Sequence, residues 1–339
     1  MDDLRYLWNT DTVWLNTALY GVPPSTARAA LAEHVDGWAA ATGDPARWDE
    51  ATPGVRRRLG ALLGVPEEDI ALGTAVSQLL GTVAASLPRS ATVLVSEGEF
   101  ASVPFPFQAR GARVRAVPRD RLAQAVGEGC DAVAFSVVHP GTGAVAPVED
   151  IIAAARGAGA LVVGDVTQAA GWLPLDAAGF DVLVGAAYKW LMAPRGLGYA
   201  YLAPESRERM AVVPGAGLAA AADPAALFAD RFVPAAGARR FDTSPNWVAH
   251  IGAVASLDVL LGVGVDAVYA HDVGLADRFR DRLGWGPGGS AIVSVDLPGA
   301  YERLAAAGVV TTVRAGRTRL SFHLYNTEED VDRAADALV

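Results

Sequence analysis

An α/β fold, with a mostly parallel central sheet in a large domain and a small C-terminal α+β domain, follows from three features of this 339-residue sequence. Helical and strand-like patterns alternate from about residue 24 to 203, as a parallel sheet with crossover helices requires. A long apolar stretch, "NWVAHIGAVASLDVLLGVG" (246–264), then reads as a helix bridging to a second unit. Beyond it, helices and short strands make a compact tail. The chain therefore divides into an N-terminal arm (1–12), a large domain (13–245) and a small domain (246–339) that includes the linking helix.

In chain order, "PSTARAALAEHVDGWAAA" (24–41) and "GVRRRLGALLGV" (54–65) read as amphipathic helices. "TAVSQLLGTVAASL" (74–87) follows the short apolar "DIALG" and reads as a helix with a Gly-Thr entrance. Five short apolar runs suit buried strands: "TVLVS" (92–96), "ARVRAV" (112–117), "DAVAFSVV" (131–138), "ALVVGDV" (160–166) and "VLVGAA" (182–187). The helical stretches "DRLAQAVGEG" (120–129) and "VEDIIAAARGAG" (148–159) separate the middle members, and "LGYAYLA" (197–203) closes the series as an antiparallel partner. Residues 204–245 are irregular. The tail reads helix (271–284), strand (290–297), helix (300–308), two short strands and a final helix (327–339).

A net charge of −10 argues against a nucleic-acid surface or an anionic membrane as partner. Arg56 to Arg58, on a predicted helix, read as a solvated face. Cys130 is the only cysteine, so no internal disulfide forms and a cytoplasmic location is expected. The acidic start "MDDLRYLWNT" has no signal-like pattern, and no apolar run approaches the ~18 residues of a membrane helix.

In an open parallel sheet, ligands bind beyond the carboxyl ends of the strands. Those ends carry Gly73-Thr74, Ser96 to Phe100, His139, Asp165 to Gln168 and Tyr188-Lys189. Of 28 Lys and Arg residues only Lys189 is lysine, and it lies in the apolar "GAAYKWLMAPRG". Arginine cannot lose its proton and attack a carbonyl; lysine can, and Schiff-base chemistry is the commonest use of that ability. Coding bias toward arginine is the plainer explanation of the count, but it does not explain the apolar setting.

Pyridoxal phosphate needs the parts these strand ends supply. Lys189 offers the amine. Asp165 is placed to keep the ring nitrogen protonated, or else caps the following turn. Gln168 can meet the phenolic oxygen. Thr74 and the backbone at Ala75 open a helix that suits a phosphate, although an ordinary N-cap has the same geometry. Phe100 either stacks on the ring or packs in the core.

The order of these pieces resembles the class V, or cysteine-desulfurase- and kynureninase-like, branch of the fold-type I pyridoxal-phosphate-dependent aminotransferases. The resemblance is carried by "GDVTQAAGWLPLDAAGFDVLVGAAYKWLMAPRGLGYAYL" and by the tail "RTRLSFHLYNTEEDVDRAADAL", and it spans about residue 13 to the end. It implies that Lys189 holds pyridoxal 5'-phosphate and shuttles the Cα proton. Asp165 then pairs the pyridinium nitrogen, Gln168 the phenolic oxygen, Thr74 and Ala75 the phosphate, and Phe100 stacks. Arg319 grips the substrate α-carboxylate. A homodimer is implied, with Ser244 or Thr243 reaching the partner's phosphate.

Departures from the family pattern narrow the chemistry. No cysteine lies between Lys189 and Arg319, and Cys130 reads as a core residue, which argues against persulfide-forming desulfuration. Ala186 and Tyr188 stand where many relatives carry Ser and His, a form nearer to the kynureninase side. His139, in the same crevice, touches substrate or cofactor, or is a neutral histidine satisfied by backbone. "GAGLAA" (215–220) fits a dinucleotide pattern but follows the end of the sheet series, so its context fails. The leading expectation is an aminotransferase-type reaction on a small amino acid. The alternatives are C–S β-lyase or epimerase chemistry and, outside catalysis, a binding or regulatory protein on this fold.

Overall fold

The computed structural model describes residues 6–8, 10–213 and 230–339. After a two-residue strand β1 (Val13–Trp14), the chain builds a seven-stranded sheet from β2 (Ile70–Gly73), β3 (Thr92–Ser96), β4 (Arg113–Val117), β5 (Ala132–Ser136), β6 (Leu161–Asp165), β7 (Val182–Ala186) and β8 (Gly198–Leu202). The order is β2-β8-β7-β6-β5-β3-β4. Strands β3 to β7 are mutually parallel, and β8 is antiparallel to both β7 and β2. Strand β2 therefore points the same way as β7, and Gly73 ends on the same edge as Asp165 and Ala186.

Side chains alternate across this sheet with the period of two that a strand imposes. Leu94, Val133, Phe135 and Leu183 enter one core, with Leu59 and Leu63 of the helix Ala51–Leu63 and Ile151 of the helix Val148–Ala158. Val93, Val95, Ala134 and Val184 enter the opposite core, with Leu79, Leu80 and Val83 of the helix Val76–Ser86. The linking helix Trp247–Val263 is followed, after an 85° bend, by Val265–Arg282, and no single helix among the described residues is long and apolar enough to cross a membrane. The tail adds β9 (Ile292–Val295), β10 (Val309–Val310), β11 (Thr312–Arg314) and β12 (Arg317–Ser321), the antiparallel order β11-β12-β9 forming the small-domain sheet.

"DIALG", whose end the sequence places at the carboxyl edge, is the edge strand β2. Three expectations change. Strand β4 is the other edge; Arg113, Arg115 and Ala116 face solvent, so it is not a buried strand. Strand β1 pairs in parallel with β10, and Leu15 joins the small-domain core, which moves residues 13–15 across the expected boundary. The "GAGLAA" segment lies outside the described residues.

Third, the Arg56–Arg58 triplet is not a solvated face, and only Arg57 is exposed. Arg58 pairs with Asp258 of the linking helix at 2.7 Å. Arg56 forms a buried ion pair with Asp242 and also donates to the Ile70 carbonyl. Asp242 accepts the Leu72 amide at 2.8 Å, so the pair fixes the segment leading to Thr243 and Ser244 against β2. Burial still pushes the Asp242 carboxyl up to about 6. Removing one partner of such a pair costs about 3–5 kcal/mol. Arg56→Leu is expected to lower unfolding free energy by about that amount in denaturant melts; a loss under ~1 kcal/mol would show that the ion pair is not what holds this segment.

Candidate active site

The parallel strands deliver Ser96, Ser136, Asp165 and Ala186 to one edge, and β2 delivers Gly73 beside them. Lys189 follows β7 in a turn whose backbone is held on several sides. The Ala187 amide donates to the Leu197 carbonyl at 3.0 Å, Gly21 to the Tyr188 carbonyl at 3.0 Å and Met192 to the Lys189 carbonyl at 3.0 Å. Gly21 allows this approach because a Cβ there would lie 2.1 Å from the Lys189 oxygen. Met192 closes the turn with φ of 53°, left-handed backbone that a non-glycine residue tolerates only where its surroundings impose it.

The Lys189 amine lies 6.0 Å from the centroid of Phe100 and 5.8 Å from that of Tyr188. Burial lowers its pKa to about 8; the nearby Asp165 opposes the shift, and Arg319, Arg314 and Arg195 add to it. Arg195 sits over the other ring neighbour, its guanidinium carbon 5.3 Å from the Tyr188 centroid. Asp165 is 7% exposed at the end of β6, and one oxygen accepts the Thr167 amide at 2.8 Å. Burial pushes its carboxyl up, against the Thr167 hydrogen bonds and Lys189.

Arg319, on β12, is 2% exposed. Its Nη1 donates to the Pro140 carbonyl, whereas Nε and Nη2 have no partner among the described residues. A buried guanidinium with two idle donors is costly unless an anion completes it. Burial, with help from Arg314, lowers its pKa to about 10. At the far end of the crevice the helix Val76–Ser86 begins at Ala75 without a side-chain cap. Its opening N–H groups are thus open to an anion. Gly198 of β8 lies so close beneath that a Cβ would stand 2.9 Å from the Ala75 nitrogen. Thr74 is exposed, and its amide donates to Gln78 Oε1 at 3.3 Å.

Phe100 is 62% exposed over the amine, which disposes of core packing as its role. Gln168 is more constrained than its sequence position suggests. Its carbonyl accepts the Trp190 indole at 2.8 Å and its amide donates to the Ala18 carbonyl at 3.0 Å. Any ring contact rests on its second N–H. His139 is a correction. Nε2 meets the Gly98 carbonyl at 3.1 Å, and Nδ1 receives the Gly141 and Thr142 amides at 3.2 and 3.1 Å. Both ring nitrogens serve the protein, so the histidine ties two loops together and offers substrate no hydrogen-bonding atom. Thr243 donates its amide to the Leu72 carbonyl at 3.1 Å, and Ser244 beside it is exposed.

Sequence reading missed the groups beneath the crevice. The nearly fully buried Glu99 side chain accepts Ser96 and Ser136 hydroxyls and the Ser136 amide, and Arg119 lies 3.7 Å from it. Arg119 in turn donates to the carbonyls of Ser136, Val137 and Ala144. His323 and Asp272, both fully buried, meet below Trp190. None of these has a local pattern; Glu99 alone falls within a strand-end span that the sequence singles out, Ser96 to Phe100, where no role was given to it.

Residues 55–296 match the family model described as aminotransferase class-V. The chain is similar to isopenicillin N epimerase of Streptomyces clavuligerus, 29% identical over 336 residues, covering 84% of this chain and 82% of that protein. It is also similar to an uncharacterized aminotransferase, YcbU, of Bacillus subtilis (strain 168), 26% identical over 320 residues and covering 86% and 85%. Among solved structures, a C-DES mutant with glycine covalently linked to its PLP cofactor superimposes with a TM-score of 0.86 at 19% identity, covering 96% of this chain and 97% of that one.

A pKa near 8 makes a sharp prediction for the free amine. The unliganded protein is treated with an amine-acylating reagent, and the peptide holding Lys189 is followed by mass spectrometry. The labelling rate should rise about tenfold per pH unit up to about 8 and level off above it. A rise continuing to the unperturbed lysine value of ~10.4 would contradict the burial described.

Proposed function

Because the chain belongs to the class V aminotransferase family, we propose that it is a pyridoxal-5'-phosphate enzyme acting at Cα of a small amino acid, with amino-group transfer as its reaction. One observation carries this reading: the sole lysine of the chain lies buried, its pKa lowered to about 8, with a buried carboxylate and a buried, half-unpaired arginine acting on it.

The residues fit the cofactor. Lys189 offers an amine able to bond an aldehyde; Asp165 offers a buried carboxylate for a protonated ring nitrogen; Phe100 offers an exposed ring face; Thr74, Ala75 and the uncapped helix offer donors for a phosphate. When bound, pyridoxal phosphate supplies an electron sink for the charge released at Cα. The chain's own part is positional and acid–base. Arg319 Nε and Nη2 form the side of a guanidinium fork and take the substrate carboxylate. Nζ of Lys189, neutral in a useful fraction near pH 7, accepts the Cα proton and returns it. Where it is returned decides the product. The apolar ring of Phe100 near the amine brings no second acid–base group on its side, which supports Lys189 as the base that returns the proton and hence amino transfer, with the Tyr188 ring, 5.8 Å from the amine, the other neighbour. The lone Cys130, half-buried ahead of β5 with its thiol pushed up by burial, leaves no persulfide-forming role.

The reading includes a homodimer, supported by the exposure of Ser244 on a segment pinned by Asp242 beside the phosphate end of β2. A second reading, epimerisation, is favoured by the similarity to isopenicillin N epimerase, in which proton return at Cα replaces transfer.

The test is a single-turnover incubation of the cofactor-loaded protein with individual amino acids. Stoichiometric 2-oxo acid with aminated cofactor is expected. Inverted stereochemistry without 2-oxo acid selects the epimerase, and pyruvate with released thiol selects C–S β-elimination. Arg319→Ala is expected to raise the substrate KM by about 10²-fold while leaving the visible absorbance of the bound cofactor unchanged. Loss of that absorbance would move Arg319 from the substrate to the cofactor.

A further inference from the structure

We propose that His323 is a positioning residue for Lys189. With Asp272 it forms a charge-neutral dyad holding one shared proton, and this dyad fastens the lysine turn to the small domain through the Trp190 carbonyl. The inference rests on the reading of Lys189 as the cofactor-bearing amine.

The chemistry of the contacts fixes the proton count. His323 Nε2 lies 3.0 Å from the Trp190 carbonyl oxygen, which can only accept, so Nε2 carries hydrogen. A neutral imidazole protonated there has a bare Nδ1. Yet Nδ1 lies 2.7 Å from Asp272 Oδ2, and a lone pair cannot face a carboxylate lone pair at that distance. One more proton must therefore lie between them. Whether it is drawn nearer nitrogen or oxygen, the pair has no net charge. Both side chains are fully buried, which makes neutrality a requirement. Asp272 Oδ1 has no partner among the described residues, and burial raises the Asp272 carboxyl against the pull of His323 and His271. The other groups at the dyad are the Trp190 ring, 5.3 Å from the imidazole, and Tyr325, 5.6 Å from it, whose hydroxyl pairs with Thr17.

Three segments meet at this point. Asp272 comes from the helix Val265–Arg282, His323 from the exit of β12, and Trp190 directly follows Lys189. The Trp190 indole continues to Gln168 and from there to Ala18. Arg319 and His323 leave the same strand four residues apart. The dyad thus sets the distance between the amine and the carboxylate grip, which no contact within the large domain can do.

The experiment measures how fast unliganded full-length protein captures pyridoxal phosphate. Visible absorbance gives the rate, borohydride reduction and peptide mapping fix the site, and a thermal melt controls for folding. His323→Phe removes the N–H to Trp190 and is expected to slow capture by about 10²-fold, the size of effect that a misplaced reacting group produces. Asp272→Asn keeps the grip, because its amide N–H can donate to Nδ1 while Nε2–H stays on Trp190. It should capture within about threefold of the parent. His323→Gln, whose amide N–H reaches toward the same carbonyl, should recover most of the loss. The proposal is overturned by a folded His323→Phe protein at the parental rate, by Asp272→Asn falling as far as His323→Phe, or by no recovery in folded His323→Gln. If His323→Phe does not fold, the other two variants decide. Failure of the parent protein to capture at Lys189 would instead remove the functional reading.

Discussion

A primary amine kept out of water organises this molecule. Solvation would hold Lys189 protonated, with about one amine in several thousand neutral at pH 7; a pKa near 8 raises that to about one in ten. Burial does most of this, but burial alone would leave an expensive group with no use. Asp165 restrains the shift, while Arg319, Arg314 and Arg195 reinforce it, so the amine is poised rather than abolished as a base. Such a balance survives only if the turn cannot relax. Gly21 beneath the Lys189 carbonyl, the left-handed Met192, the Gln168–Trp190 bond and the His323 grip each remove one direction of escape.

The sheet explains why these groups meet. A parallel strand followed by a crossover returns every carboxyl end to the same edge, so Ser96, Ser136, Asp165 and Ala186 converge from distant parts of the sequence. The antiparallel β8 then lets Gly198 lie under Ala75, and β2 brings the uncapped helix into the same crevice. Polar groups below are engaged within the protein: Glu99 by two serines, Arg119 Nη2 by three carbonyls, His139 by two loops. Among the described residues Arg319 is the arginine with two idle buried donors, where Arg119, Arg207 and Arg280 each leave only Nε without a hydrogen-bond partner, and a pair of unmet donors on one guanidinium fits a ligand carboxylate.

Much of this was legible in the sequence, for identifiable reasons. Buried strands such as "ALVVGDV" are short apolar runs between helices, and a residue after such a run must lie at the carboxyl edge; that logic found Asp165, Lys189 and the Thr74 helix start. It failed where tertiary partners override local pattern. Arg56 looks solvated until Asp242, nearly two hundred residues on, is folded against it. Strand β4 resembles a core strand by its valines, yet its arginines face solvent at an edge. His139 stood at an active-site position, and only the loop amides show that its nitrogens are taken. Asp272 and His323 sit on a helix and after a strand with no shared spacing, so nothing short of the fold could pair them.

Arg319 ties these strands of argument together electrostatically. While its outer donors are empty, its full positive charge acts on Lys189 and favours the neutral amine, the form that bonds an aldehyde. Under the function proposed above, a substrate carboxylate on the same guanidinium would cancel most of that charge. The proton affinity of Nζ would then rise, which is the change needed when the amine turns from nucleophile to base. On that reading the substrate's own anchoring group adjusts the acid–base strength of the residue proposed to act on its Cα. That coupling depends on a fixed separation between β12 and the lysine turn, and the buried link from His323 to the Trp190 carbonyl spans that gap.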